Sequence, residues 1–273
     1  MTRPWIEFVQ SQKIAWKDDD GWAAAPGASV RILSRDSDTN AASLMLRLPK
    51  GWTAPAGALN VDEEFLVLEG AVEIGGTRYG KLGFAHFPAG YDAGARSAPE
   101  GAIILSFFDG KPVRSAARAY NEARLVKIED AMHVPYTGNF HPEFPPGAGR
   151  KLLYVDPTTN DTTWILGTLP LRWAERAEIH PTVEEMYLLS GEVHGNRGVM
   201  RPGAYFWRPA NVPHGPYGSL TGNLYFFRTK GGSLKTEYVE PERKFMWWPP
   251  YDAQLPQELE HARGETEPAP SWW

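Results

Sequence analysis

Cysteine is absent from this 273-residue chain, which excludes disulfides, thiolate metal ligands and a cysteine nucleophile. Long apolar runs are missing too, and no window approaches the roughly 20 residues that a membrane helix needs. The opening stretch interrupts its apolar positions with Arg3, Glu7, Gln10 and Lys13, so no signal-peptide core is expected. The 28 Lys and Arg residues are scattered along a chain of net charge −5, without the basic stripe that nucleic acid requires. Histidine is scarce, with seven in all, so the position of each is informative. A soluble, cytoplasmic protein with no nucleic-acid or membrane partner is the expectation.

What is present is a pattern that occurs twice, 121 positions apart. That shift pairs Trp52 with Trp173, Glu63 with Glu184, Glu64 with Glu185, Gly70 with Gly191 and Pro88 with Pro209. It also pairs Leu48-Pro49 with Leu169-Pro170. Short apolar runs fall at 29–34, 43–48, 64–68, 84–87 and 102–108 in the first half, and at 151–155, 163–169, 185–189, 204–207 and 224–228 in the second. Turn formers separate them, among them Asp36-Ser37-Asp38, Gly75-Gly76, Asp156-Pro157 and Gly195-Asn196. Runs this short with such breakers predict an all-β chain of the sandwich or barrel kind. The spacing predicts a first domain over 1–125, a second over 126–240 and a Pro- and Trp-rich arm over 241–273, with one short helix at 256–263. An arm bearing Trp247, Trp248, Tyr251, Trp272 and Trp273 is expected to dock on its own barrel or on a neighbouring subunit, because its apolar area is unfavourable in water.

The repeat is not symmetric in its chemistry. The 121-residue shift sets His180 against Leu59 and His214 against Ala93, so imidazoles survive in the second copy only. There the chain reads Glu178-Ile179-His180-Pro181-Thr182-Val183-Glu184, then six residues to Gly191, and later Gly203, Pro209, Asn211 and His214. Residues two apart on a strand share a face, so Glu178 and His180 point the same way. Glu184 then heads the next strand, and His214 closes the set from a separate loop. Two imidazoles and a carboxylate suit a divalent first-row metal, and with open positions they match non-heme iron oxygenases.

These residues resemble the two motifs of the cupin superfamily: H-x-H, three or four residues, Glu, six residues, Gly; and Gly, five residues, P-x-G, two residues, His. On those motifs His180, Glu184 and His214 take ligand positions, while Glu178 stands where a first histidine is expected and Asn211 where the second motif has glycine. The resemblance implies two tandem jelly-roll cupin barrels, the first with its ligands lost and the second holding one divalent metal ion, Fe(II) before Zn or Mn. It further implies an enzyme, foremost a dioxygenase cleaving a small keto or phenolic compound. A non-oxidative lyase, isomerase or hydrolase is the alternative, as is a metal-containing sensor of small molecules. A homodimer is expected. Glu178 is open between a fourth ligand, an acid or base on bound water, and an acceptor for an imidazole N–H.

The other candidates are weaker. Glu63 reads as a buried or rim carboxylate with hydrogen-bond partners, and Trp52 with Trp173 as a shared scaffold pair. Arg172 and Arg176 can anchor an anionic substrate at the mouth or line a solvated strand edge. His86, His133, His141, His194 and His261 read as solvated or structural, with His141 and His194 the two that can line the pocket.

Overall fold

The computed structural model describes residues 3–138 and 146–266; His141, Trp272 and Trp273 lie outside them. The chain divides into two compact units, one of Ala15–Val134 and the other of Pro4–Ile14 together with the chain from Pro135 onward. Residues 4–14, placed in the first domain by their order in sequence, therefore belong to the second unit, and residues 126–134, placed in the second, belong to the first.

Each unit is antiparallel β and carries one large and one small sheet, the jelly-roll plan. In the first, a seven-stranded sheet runs in the order Val126–Ile128, Phe84–Phe87, Glu63–Gly70, Ala102–Phe108, Ala42–Leu48, Ser29–Arg35, Lys17–Asp18. In the second, six strands run Ile6–Gln10, Ala204–Arg208, Val183–Gly191, Asn223–Lys230, Thr162–Thr168, Ala148–Val155. The smaller sheet of the second unit is made of Arg172–Trp173, Gly218–Ser219, Val193–Gly195 and Gly198–Met200. A further ribbon pairs Ala177–Ile179 with Glu237–Val239. All the predicted strands form, and the predicted helix is the 3-10 segment Gln257–Ala262.

Local chemistry explains why the strands end where they do. Asp36 Oδ1 accepts the N–H groups of Asp38 and Thr39 before Asn40 turns at φ 59°. Asp156 does the same for Thr158 and Thr159 before Asn160 at φ 61°. An aspartate that caps its own turn and an asparagine that tolerates the left-handed region thus build the same hairpin in both units. Gly191 sits at φ 79°, and a Cβ there would meet the Gly222 carbonyl oxygen at 2.0 Å, which is why this repeat position holds glycine.

Period-two alternation then fills the second barrel. Trp164 and Leu166, Met186 and Leu188, Tyr225 and Phe227, and Phe206 come from four strands into one buried cluster. Glu184 and Arg208 occupy the same alternating sites one step beyond Met186 and Phe206, so the core face that is apolar along its length becomes charged at one end.

The arm packs on the second unit itself. Tyr251 meets Phe8 edge-on at 5.4 Å, Ala253, Leu255, Leu259 and Ala262 are buried, and the His194 ring sits against Trp247 and Trp248.

Candidate metal centre

Three backbone elements converge at the charged end of the second barrel. Glu178 and His214 are cross-strand neighbours through a pair of backbone hydrogen bonds of 2.8 and 3.0 Å. The His180 carbonyl accepts the Asn211 N–H at 2.7 Å, which fixes the following loop against the same strand. Asn211 holds φ 64°. The residue standing in the glycine position of the motif is therefore one that tolerates the left-handed conformation glycine would supply.

Both imidazoles are oriented from behind by backbone carbonyls. His180 Nδ1 lies 2.8 Å from the Lys235 carbonyl oxygen, and His214 Nδ1 lies 2.9 Å from that of Val212. A carbonyl only accepts, so each Nδ1 carries the proton and each Nε2 keeps its lone pair. His180 Nε2 stands 3.6 Å from Glu178 and 3.8 Å from Glu184, and His214 Nε2 stands 3.6 Å from Glu184. Those gaps are too long for hydrogen bonds. They are nonetheless shorter than the ~4.2 Å that can separate two atoms each ~2.1 Å from one ion.

His180 Nε2 is buried with no hydrogen-bond partner among the described residues. An acceptor nitrogen left bare beside two carboxylates is the donor arrangement that a divalent cation satisfies, so the residues fit a metal. Glu178, His180 and His214 bring their ligand atoms within 4.8 Å of one another. All four residues singled out in the sequence, Glu178, His180, Glu184 and His214, thus meet in one place.

The electrostatics are set by burial. It pushes the His214 imidazole well below its usual range, and Arg208 and His180 add to the shift, so the ring is neutral. Burial also raises the Glu178 carboxyl, which His180 partly offsets.

Glu184 is not a bare carboxylate. Its Oε2 accepts from Arg208 Nη1, a cross-strand partner by register, while its other oxygen faces His180. Arg208 is buried over the Phe206 ring at 4.0 Å. Burial alone would lower its pKa, but Glu7, Tyr217 and Glu184 raise it above the usual arginine value. Sequence patterns did not single out Glu7, Arg208 or Tyr217. Only Arg208 left a trace, as the residue directly before motif Pro209.

Above this polar end lies a cavity of about 80 Å³. Its wall is apolar, from Trp164, Leu166, Met186, Phe206 and Phe227, and its polar pole includes Glu178, His214, Tyr217 and Arg172. Leu234 and Thr236, on the segment after Gly231-Gly232, complete the wall; the same segment supplies the Lys235 carbonyl to His180. Arg172 therefore lines the cavity, whereas Arg176 is exposed, stacks on Tyr238 and donates to its carbonyl.

His194 is fully buried and structural: its Nδ1 donates to the Trp247 carbonyl. His86 is buried against Glu64, at 3.4 Å, and His133 and His261 are exposed. Trp52 is buried with its Nε1 on the Pro26 carbonyl. Trp173 is 51% exposed, so the two do not share a scaffold role; the repeat position is the same, but the second ring is half-exposed and meets Trp247 edge-on.

The corresponding end of the first unit is filled. Leu59 and Ala93 lie in its apolar core, and Glu63 is paired through both oxygens with Arg96 at 2.7 and 2.5 Å. A loop wound around Asp19, whose carboxylate accepts four N–H groups between Gly21 and Ala25, brings Ala23, Ala24 and Ala25 against that pair and leaves about 20 Å³.

The chain belongs to the DUF4437 family, a domain of unknown function, whose family model matches residues 7–236. No curated protein sequence matches it. Among solved structures it is similar to a Nostoc punctiforme protein provisionally described as a dioxygenase, with 22% identity, a TM-score of 0.77 and 87% of each chain covered. It is also similar to oxalate decarboxylase from Bacillus subtilis, with 15% identity, a TM-score of 0.53, and 85% of this chain and 79% of that one covered. Salicylate 1,2-dioxygenase from Pseudoaminobacter salicylatoxidans follows, with 12% identity, a TM-score of 0.51 and coverage of 72% and 75%. At these identities the likeness is one of fold, and the fold is the cupin fold.

Proposed function

We propose that this DUF4437 chain is a two-domain cupin enzyme holding one divalent metal ion in its second barrel, with His180, His214, Glu184 and Glu178 as the donor set. The observation that carries this reading is the pair of imidazoles whose Nδ1 protons are committed to backbone carbonyls, with the Nε2 of His180 buried and unpartnered beside two carboxylates. Such a metal supplies Lewis acidity and a template that holds substrate oxygens in place. The chain's own groups do the rest: the apolar wall excludes water and orients a small ring or chain, Arg172 draws an anionic oxygen to the polar pole, and Tyr217 offers a phenol beside it.

The favoured reaction is an Fe(II)-dependent dioxygenase cleavage of a small keto or phenolic compound. The small cavity with aromatic walls supports it, and the fold is shared with proteins described as dioxygenases. A second reading is non-oxidative, a Zn- or Mn-dependent lyase, isomerase or hydrolase with Glu178 as acid or base. Its support is the raised, partly buried Glu178 carboxyl lining the cavity. We further propose a cytoplasmic homodimer, supported by exposed Leu171, Trp173 and Trp248 on the second unit.

Elemental analysis of protein purified without added metal, followed by oxygen uptake over a panel of small keto and phenolic compounds, tests the reading. About one iron per chain with substrate-dependent oxygen consumption is expected. Turnover without oxygen would select the second reading, and protein that takes up no metal even when incubated with Fe(II), Mn(II) and Zn(II) would refute both.

A further inference from the structure

A carboxylate from the Ile6–Gln10 strand reaches the charged end of the second barrel. Glu7 is 2% exposed and lies on the Ile6–Gln10 strand, which pairs with Ala204–Arg208 and changes register between Ile6 and Val9. Its other edge is held by the arm, with backbone hydrogen bonds to Gln254 of 2.7 and 2.6 Å. Its side chain accepts the Arg208 fork, Nε at 2.8 Å and Nη2 at 2.6 Å. The Tyr217 phenol, which takes an Arg208 N–H at 2.7 Å, donates to Glu7 at 3.2 Å, and Trp5 Nε1 donates at 3.3 Å.

This arrangement decides how much of Glu184 is left for a metal. A buried guanidinium seeks a bidentate carboxylate, and an uncompensated one is strongly unfavourable. Glu7 supplies the fork, so Arg208 spends only Nη1 on Glu184, and the remaining Glu184 oxygen faces His180. Glu7 and Arg208 also cancel in charge, which leaves Glu178 and Glu184 as two carboxylates for one divalent ion. Without Glu7, Glu184 would be the carboxylate left to neutralise Arg208, and the donor set would lose both an oxygen and a negative charge.

We propose that Glu7 is a positioning residue for the metal centre, holding Arg208 so that Glu184 keeps one oxygen free to bind the cation. The inference rests on the metal site proposed above. Its test is Mn(II) titration of metal-stripped full-length protein by calorimetry, on wild type, Glu7→Gln, Glu7→Gln/Arg208→Met and His214→Ala. Glu7→Gln is expected to weaken Mn(II) binding by about 10- to 100-fold, the usual scale for groups that orient a ligand. The double variant, with neither charge, is expected to return to within about threefold of wild type, a recovery that damage to the strand would not produce. Wild-type affinity in Glu7→Gln overturns the proposal, and so does a folded double variant that binds no better than the single one. Should Glu7→Gln fail to fold, the double variant alone decides: affinity within about threefold of wild type is expected, and a loss of about tenfold or more overturns the proposal. Retention of Mn(II) by His214→Ala would instead strike the metal site itself, and so separates the two failures.

Discussion

Metal binding in the second barrel has a consequence for stability that can be worked out in advance. A ligand that binds only the folded state stabilises it by RT ln(1 + [L]/Kd), about 2.7 kcal/mol at one hundred times Kd. The second unit has about 150 residues, and in that size range each kcal/mol moves Tm by ~2–4 °C. Mn(II) added to stripped wild-type protein at that concentration is thus expected to raise the melting temperature of the second unit by ~5–11 °C. His180→Ala and His214→Ala each remove a nitrogen whose ring is already positioned by a carbonyl, so each is expected to abolish the shift at the same Mn(II) concentration. Differential scanning calorimetry with and without Mn(II), on all three proteins, measures it. A shift of wild-type size in His180→Ala and His214→Ala would refute the assignment, because the ion would then be held elsewhere.

Glu178→Gln is expected to weaken Mn(II) binding, and to flatten its pH dependence: burial raises the wild-type carboxyl, so the wild type loses affinity as pH falls through that raised pKa and the amide does not. Unchanged metal content with turnover reduced about 10²- to 10⁴-fold would instead make Glu178 an acid–base group. Glu63→Gln strips the charge partner from part-buried Arg96 and is expected to lower stability by ~1–3 kcal/mol with little effect on turnover per folded molecule; chemical denaturation beside a specific-activity assay checks both. Asn211→Gly is expected to be tolerated and Asn211→Val to cost ~1–2 kcal/mol, since φ is 64° there. Truncation before Phe245 exposes Phe8 and removes the Gln254 contact to Glu7, so it is expected to lower both Tm and Mn(II) affinity; unchanged values would show that the arm is dispensable.

The sequence made the strands legible because period-two burial and self-capping aspartate turns are local, and it made Glu178, His180, Glu184 and His214 legible because a short motif spaces them. What it concealed is tertiary. Glu7 precedes Arg208 by 201 positions and has no neighbour in sequence that hints at its destination. The support for His180 is a backbone carbonyl, that of Lys235, and a carbonyl has no residue identity for a pattern to detect. Trp52 and Trp173 share a repeat position but not an environment, since burial depends on what packs above the ring.

The two barrels differ in one exchange that explains the fate of their shared glutamate. Arg208 stands at the repeat position of Phe87, and Tyr217 at that of Arg96, so cation and aromatic have traded places. In both units the guanidinium carbon lies 5.9 Å from the exchanged ring, which keeps the pair's shape while reversing its direction. From position 96 the arginine takes both oxygens of Glu63; from position 208 it takes one oxygen of Glu184 and gives its fork to Glu7. A buried carboxylate must be neutralised by some cation. The first barrel supplies an internal one and has filled the remaining space with Leu59, Ala93 and the loop around Asp19. The second leaves one oxygen of its glutamate beside the His180 imidazole, which is a requirement that an arginine on that strand does not meet and a divalent ion does. Restoring His at positions 59 and 93 would therefore not by itself create a second site, because Arg96 would still hold both oxygens that the ion needs.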